Sequence, residues 1–242
     1  MKITADDLKK EEELITEDID EFCKDMISDE AGPIYDGVVN IEKYLNGEKY
    51  RICWVLKEAY DEGDKKGGSW YLCEFIGCEK RWREVANHPT WKKVIYATYG
   101  IINDFIEYSN MDYITDDPEM VKCLNHIAVI NVNKMPGDST SDNAVIASEY
   151  KRFKLLLHRQ LEKYDPQIII FGGTFQHFQN DLEIKDEEIS NYKDNKKPRY
   201  IVKNGKLYVD AYHPAVRPST MIEDYYIQSI IDIVKMNREN IE

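Results

Sequence analysis

The sequence predicts an α/β fold: a three-layer α/β/α sandwich with a central, mostly parallel four-stranded sheet and an antiparallel hairpin at one edge. Three apolar runs without alternation, at residues 52–56, 127–132 and 167–171, are typical of strands buried on both faces. Segments with helical periodicity separate these runs, and this order predicts parallel strands joined by right-handed crossovers. Asn204 and Gly205 lie between two short β-type segments and predict a type I′ turn.

The helices are predicted from apolar residues that recur at helical spacing. In chain order they span residues 5–27, residues 41–45, a core helix from after Pro89 to Ile106, a short helix capped by Asp117, a long helix from Asp142 to Tyr164, residues 175–182, and a C-terminal helix that opens with a capping box of Thr220 and Glu223. The polar residues 185–197 are expected to form an exposed excursion. We expect one domain, 1–242, with 1–48 as a helical N-terminal extension packed on it.

Composition limits the classes of partner. The net charge of −13 over 242 residues argues against a broad phosphate-binding surface, so nucleic acid would need a local basic patch. Five cysteines without regular spacing favour a reduced, cytoplasmic protein over a disulfide framework. We find no leader and no apolar run near the roughly 20 residues of a membrane helix, so no membrane association is expected. The histidine spacing predicts no metal site.

Polar residues that suit hydrolysis follow the predicted strands. Glu58 and Tyr60 come after the first core strand, Asn131 lies near the end of the second, and His213 and Arg217 follow the last. Parallel strands would bring these loops to one edge of the sheet. A carboxylate facing a histidine can orient or deprotonate water while the imidazole stabilises a leaving group, without a metal or a covalent intermediate.

Each candidate also has a purely structural interpretation. Glu58 is equally well explained as a surface carboxylate paired with Lys57, and His213 as a strand exit whose imidazole bonds to the backbone. Asn131 would then satisfy loop amides, and Trp70 would belong to the core or its rim. Spacing alone leaves these alternatives open.

Four segments resemble motifs of one enzyme family in order and spacing. They read VLKEAYDEG from Val55, INVNKMPGDSTS from Ile130, LEKYDPQIIIFGGTFQHF from Leu161 and HPAVRPS from His213. The first resembles G-x-D-P-Y or G-E-A-P-G, the second N-V-V-K-C-R-P-P-G-N-R-T-P, and the last H-P-S-P-L-S, all from the uracil-DNA glycosylase superfamily. The third resembles that family's helix, buried strand and glycine turn. The resemblance covers scattered blocks from residue 51 to the C terminus.

This resemblance implies that a base is flipped out of the nucleic-acid stack and that its N-glycosidic bond is hydrolysed. Glu58 would orient water toward the sugar carbon, and His213 would stabilise the anionic leaving base, a uracil or a damaged base. Asn131 would read the edge of the base, Trp70 would cover it, and Tyr60 would block the methyl group of thymine.

The resemblance also implies DNA, single-stranded or duplex, or a nucleotide as the partner. The expected contacts with the nucleic-acid backbone are Lys57, Lys134, Ser139, Arg217 and Ser219, with Lys65 and Lys66 extending the basic rim. Met135 stands where iron–sulfur members have a cysteine, so neither a cluster nor another cofactor is expected.

Two other functions fit the same residues. The first is a binding module that keeps the fold but not the chemistry and recognises a nucleotide, a nucleic acid or a protein. The second is a hydrolase that uses the same loops at the sheet edge to act on small N-glycosides. Binding without turnover would distinguish the first, and activity on small N-glycosides only would distinguish the second.

Overall fold

The computed structural model describes residues 3–28, 31–47, 50–61, 67–138, 140–193 and 197–241. The strands are β1 (Ile34–Tyr35), β2 (Gly37–Val38), β3 (Ile52–Leu56), β4 (Trp70–Tyr71), β5 (Ile127–Asn131), β6 (Ile168–Gly172), β7 (Ser190–Asn191), β8 (Arg199–Lys203) and β9 (Lys206–Ala211). The α-helices are α1 (Ala5–Cys23), α2 (Ile41–Asn46), α3 (Leu72–Gly77), α4 (Trp82–Asn87), α5 (Pro89–Ile102), α6 (Asn143–Tyr164), α7 (Phe175–Phe178) and α8 (Glu223–Asn237). The 3₁₀ helices are Glu79–Arg81, Tyr108–Asn110, Pro118–His126, Asp186–Glu188 and Arg238–Asn240. No helix among these residues is both long and apolar enough to cross a membrane.

The central sheet is mostly parallel, as predicted, but it is larger than four strands. Its seven described strands run in the order β2-β5-β3-β6-β9-β8-β7. The four inner strands β5, β3, β6 and β9 are parallel. Strand β2 is antiparallel at one edge, and β8 and β7 are antiparallel at the other. The sequence prediction missed β2 and β7 because strands of two residues are too short to show a hydrophobic pattern.

Helices flank both faces of the sheet, which explains the continuous apolar runs. In β3, Ile52 and Trp54 belong to a core cluster with residues of α5 and α8. The alternate residues Cys53 and Val55 belong to a second cluster with residues of α1 and α6. Every side chain of the strand is therefore buried, and no polar alternation remains in its sequence.

The predicted hairpin turn and two predicted helix caps are present in the structure. Asn204 and Gly205 have positive φ values of 53° and 73° between β8 and β9, which confirms the hairpin turn. Asp142 is the predicted N-cap of α6, and its side chain accepts a hydrogen bond of 2.7 Å from the Ala144 N–H. Asp117 also caps as predicted, although the helix that follows is a 3₁₀ helix.

Several predicted helix bounds were wrong. Helix α5 stops at Ile102 and not at residue 106, because Asp104 and Phe105 have φ values of 58° and 62°, a left-handed conformation that cannot continue the helix. Helix α8 begins at Glu223 without a side-chain cap, so Thr220 does not form the predicted capping box. The predicted helix at 175–182 is reduced to the four residues of α7. The excursion at 185–197 contains a 3₁₀ turn and β7, and residues 194–196 lie outside the described part.

The first 48 residues are more closely joined to the sheet than a packed helix alone would be. They supply the edge strand β2, and α1 packs against α6. Arg159 of α6 forms ion pairs with Glu11 and Asp18 of α1. Glu12 accepts a hydrogen bond of 2.9 Å from the backbone N–H of Val38 in β2. Helix α1 is thus tied to both the sheet edge and α6.

Glu12 is expected to make stability depend on pH. Burial raises the pKa of Glu12 to about 7. The folded state therefore keeps this proton to a higher pH than the unfolded state, whose glutamate titrates near a pKa of about 4.3. The stabilisation is complete below about pH 4 and is lost as the pH rises through the folded pKa. From about pH 4 to about pH 8, we expect the free energy of unfolding of wild type to fall by roughly 3 kcal/mol more than that of Glu12→Gln, which has no carboxylate to ionise.

Urea denaturation of both proteins at the two pH values measures this difference. Glu13→Gln is the control, because Glu13 is an exposed neighbour on the same helix. An equal difference between Glu12→Gln and wild type at both pH values would contradict the prediction.

Candidate functional site

The carboxyl ends of the four parallel strands meet at one edge of the sheet. The chain passes from β3 to β5 on one side and from β6 to β9 on the other, so the strand order reverses between β3 and β6. Open α/β sheets bind ligands at such a switch point. Here β3 is followed by Lys57 and Glu58, β6 by Gly173, and β9 by His213.

Glu58 is held in one orientation by the loop that follows β5. The side-chain Nδ2 of Asn133 donates a hydrogen bond of 3.0 Å to Glu58 Oε2. The Asn133 Oδ1 accepts a bond of 3.0 Å from the Met135 N–H, which fixes the direction of the amide. Gly137 lies so close that a Cβ there would collide with the Glu58 side chain. The contact of the Glu58 carboxylate is thus with an asparagine amide.

Lys57 lies between α6 and the His213 loop. Its Nζ donates a hydrogen bond of 2.9 Å to Asn143 Oδ1, at the start of α6. Gly173 has φ 76°, and a Cβ at that position would be 3.4 Å from Lys57 Cε and 3.5 Å from the His213 backbone nitrogen. Burial lowers the pKa of Lys57. A half-buried ammonium group therefore sits beside the histidine.

His213 is a neutral hydrogen-bond donor. Burial, together with the charges of Lys57, His88 and Lys93, lowers the pKa of His213 to about 4. Its Nδ1 accepts a hydrogen bond of 3.2 Å from the Ala215 N–H. A neutral imidazole with Nδ1 as acceptor carries its proton on Nε2. The predicted backbone bond therefore exists, and it leaves Nε2 as a donor that can stabilise negative charge.

Asn131, the last residue of β5, has an unpaired buried amide. Only 1 % of the residue is exposed. Its backbone N–H donates a bond of 2.7 Å to Asp36 Oδ2, but its side-chain Nδ2 has no hydrogen-bond partner among the described residues. A buried donor without a partner costs about 1–3 kcal/mol, so such groups are rare unless a ligand satisfies them. Asn131 pairs in register with Leu56, two residues before Glu58.

The two predicted aromatic residues differ in accessibility. Trp70 is half-buried in β4, its indole N–H donates a bond of 3.0 Å to Asp61 Oδ2, and its ring centroid lies 5.9 Å edge-on from that of Phe75. Asp61 Oδ2 also accepts a bond of 2.8 Å from the Gly68 N–H. Tyr60 is 45 % exposed and lies beside the loop that holds Glu58. Trp70 is anchored at its indole nitrogen, whereas Tyr60 is accessible.

The predicted basic rim loses Lys134. This lysine is fully buried, and its Nζ donates bonds of 2.8 Å to both Asp36 oxygens and of 2.9 Å to Gln160 Oε1. It follows an apolar strand into the interior, where an internal carboxylate neutralises it, so it does not face a phosphate. Arg217 and Ser219 are exposed on the loop after His213. Ser139, Lys65 and Lys66 lie outside the described residues.

Three residues of this edge were missed from the sequence. Asn133 carried a usable signal, since it is a second polar side chain directly after a buried strand. Lys93 also carried one, because it lies at helical spacing from Thr90 and Ala97 on the buried side of α5. Asp36 carried no such signal, because an aspartate followed by a glycine does not indicate which distant residue it will bind.

Two surface cavities lie away from this edge. One, of about 350 Å³, lies beside β7, β8 and α8, and the other, of about 170 Å³, lies between α3 and the 3₁₀ helix that starts at Pro118. No described group of three or more His, Cys, Asp or Glu side chains is arranged to hold a metal. We assign the site to the sheet edge because an unpaired amide, a fixed carboxylate and a neutral imidazole lie at the carboxyl ends of β5, β3 and β9, three of the four parallel strands.

Comparisons with known proteins are negative. No family model, no curated protein and no solved structure matches the chain significantly. The chemical capacity of the site follows from its own contacts. The carboxylate can act on water, while the imidazole and the nearby ammonium groups favour an anionic leaving group.

Proposed function

We propose that the protein hydrolyses the N-glycosidic bond of a flipped uracil or damaged base, as the resemblance to the uracil-DNA glycosylase superfamily implies. The observation that carries this proposal is the neutral His213 with its proton on Nε2. When the glycosidic bond breaks, the base keeps the bonding electrons and becomes an anion. The Nε2–H of His213 and the charge of Lys57 stabilise that anion as it forms.

Glu58 orients water toward the sugar carbon in this proposal. Its fixed position supports the role, because Asn133 and Gly137 hold the side chain before substrate binds. A group that is already positioned needs little reorganisation in the transition state.

Asn131 reads the base. The unpaired Nδ2 supports this assignment, because it is a donor that suits a carbonyl oxygen of uracil. Tyr60, which is exposed, blocks the methyl group of thymine. Trp70 covers the base. The two aromatic roles come from the resemblance.

The proposed partner is DNA or a nucleotide, reached in the cytoplasm. Lys57, Arg217 and Ser219 support a small contact surface for the backbone at this edge. The net charge of −13 favours a single strand or a nucleotide over a long duplex. Helices on both sides of the sheet support the three-layer arrangement proposed for the domain.

Incubation with uracil-containing single-stranded and duplex oligonucleotides tests the activity. We expect wild type to form abasic product and His213→Ala to form it about 10²-fold more slowly, because one donor to the developing anion is lost. Alkaline cleavage and gel electrophoresis measure the product. His126→Ala is the control, since His126 precedes β5 at the opposite edge of the sheet. Product formation that is unaffected by His213→Ala, or absent from wild type under every condition, would defeat the assignment.

The second candidate is a binding module without catalysis. The observation that favours it is the anchoring of Trp70 to Asp61 and Phe75, since a ring held this way is less free to close over a base. Equilibrium binding of the same oligonucleotides and of uracil nucleotides, without abasic product, would support this function. Cleavage confined to nucleosides would indicate a hydrolase of small N-glycosides.

A further inference from the structure

A buried lysine of α5 holds the loop that carries His213. Lys93 is 7 % exposed. Its Nζ donates hydrogen bonds of 2.7 Å to the carbonyl oxygen of Pro214 and 3.2 Å to that of Val216. A buried ammonium group is costly unless its hydrogens find acceptors, and here the acceptors belong to the two sides of the turn after His213.

Helix α8 extends the same support. The Lys93 Nζ lies 5.7 Å from the ring centroid of Tyr226, and the Tyr226 hydroxyl donates a bond of 2.9 Å to the carbonyl oxygen of Tyr212. The two helices therefore bind the carbonyl groups of three alternate loop residues, 212, 214 and 216. Within the turn, the Val216 N–H donates a bond of 2.8 Å to the His213 carbonyl.

We propose that Lys93 is the positioning residue for His213: by binding the carbonyl groups of Pro214 and Val216, it keeps the Ala215 N–H on Nδ1 and so leaves the proton of the neutral imidazole on Nε2. The catalytic part of this inference rests on the function proposed above. The positioning itself is a property of the loop and can be measured without substrate.

The charge of Lys93 acts in the same direction as its hydrogen bonds. The charged and titratable groups near His213 are Lys57 after β3, His88 at the start of α5, and Lys93. Loss of Lys93 removes one positive charge and makes protonation of the imidazole easier. The pKa of His213 is therefore expected to rise from its lowered value.

Lys93→Met and Lys93→Arg in the full-length chain test the proposal. The first removes the charge and both donors, and the second keeps a charged donor. Nitrogen-15 NMR of the His213 ring is expected to show two changes in Lys93→Met: a raised pKa, and a smaller share of the Nε2–H tautomer within the neutral ring. In Lys93→Arg, the pKa should lie nearer that of wild type. With a uracil oligonucleotide, kcat should fall about 10²-fold in Lys93→Met with little change in KM.

Lys92→Met is the matched control. Lys92 is the preceding residue on α5 and pairs at 2.8 Å with Glu223, so its loss removes a nearby charge but no bond to the loop. Unchanged pKa and tautomer of His213 in Lys93→Met, or the same changes in Lys92→Met, would overturn the positioning role even if the melting temperature fell. Absence of product from wild type would reject the proposed function alone, while the NMR comparison would still decide the role of Lys93.

Discussion

Glu58→Gln is expected to slow the release of uracil by about 10³-fold, within the usual range for a lost general base. Glutamine has nearly the same shape as glutamate, and its side-chain oxygen still accepts a bond from Asn133. It fits beside Gly137 without new contacts. What it loses is the negative charge that orients water in the proposed function. Single-turnover rates with excess enzyme measure the chemical step directly.

Glu162→Gln is the control for this variant. Glu162 is exposed near the C-terminal end of α6, which leads to the start of β6 at the opposite edge of the sheet. We expect Glu58→Gln to bind the oligonucleotide at least as tightly as wild type, because it removes a negative charge close to the substrate. A single-turnover rate equal to that of wild type would show that Glu58 does not act on water.

Breaking the buried pair of Asp36 and Lys134 is expected to cost about 3–5 kcal/mol in free energy of unfolding. Both side chains are fully buried. Asp36→Asn leaves the buried charge of Lys134 without a partner. Lys134→Met leaves the buried Asp36 carboxylate without one. Asp36 also binds the Asn131 N–H, and the Lys134 carbonyl accepts a bond of 2.7 Å from the Ile34 N–H, so the loop that holds Glu58 would loosen as well.

A double-mutant cycle in urea tests this expectation. The variant that combines Asp36→Asn with Lys134→Met should lose less stability than the two single losses added together, because no uncompensated charge remains. Glu119→Gln is the control, since Glu119 pairs with Lys122 on the surface and its loss should change stability by less than about 1 kcal/mol. Single-variant losses as small as that of Glu119→Gln would show that the ion pair does not matter for folding.

Local sequence was sufficient for the main elements of the fold. The apolar runs of β3, β5 and β6 show no alternation because helices cover both faces of the sheet, and that property is written in each strand separately. The Asn204–Gly205 turn was also predictable, since both residues tolerate positive φ. Helix ends that depend on residues in an unfavourable backbone conformation were not predictable. Helix α5 ends before Asp104 and Phe105, which have a left-handed backbone conformation, although Phe105 and Ile106 continue its apolar stripe.

The site divides in the same way. Glu58 and His213 could be placed at this edge from the sequence, because a strand end followed by a polar residue is visible along the chain and parallel topology brings such ends together. The contacts that prepare them were not identifiable. Asn133 meets Glu58 across 75 positions, Lys93 meets the His213 loop across more than 120, and Asp36 captures Lys134 across 98. From sequence alone, a lysine is expected to be a surface cation, because its buried hydrogen-bond acceptor becomes apparent only in the folded structure. Tertiary structure alone therefore decided which cations serve the site, because burial and pairing depend on residues far apart in sequence.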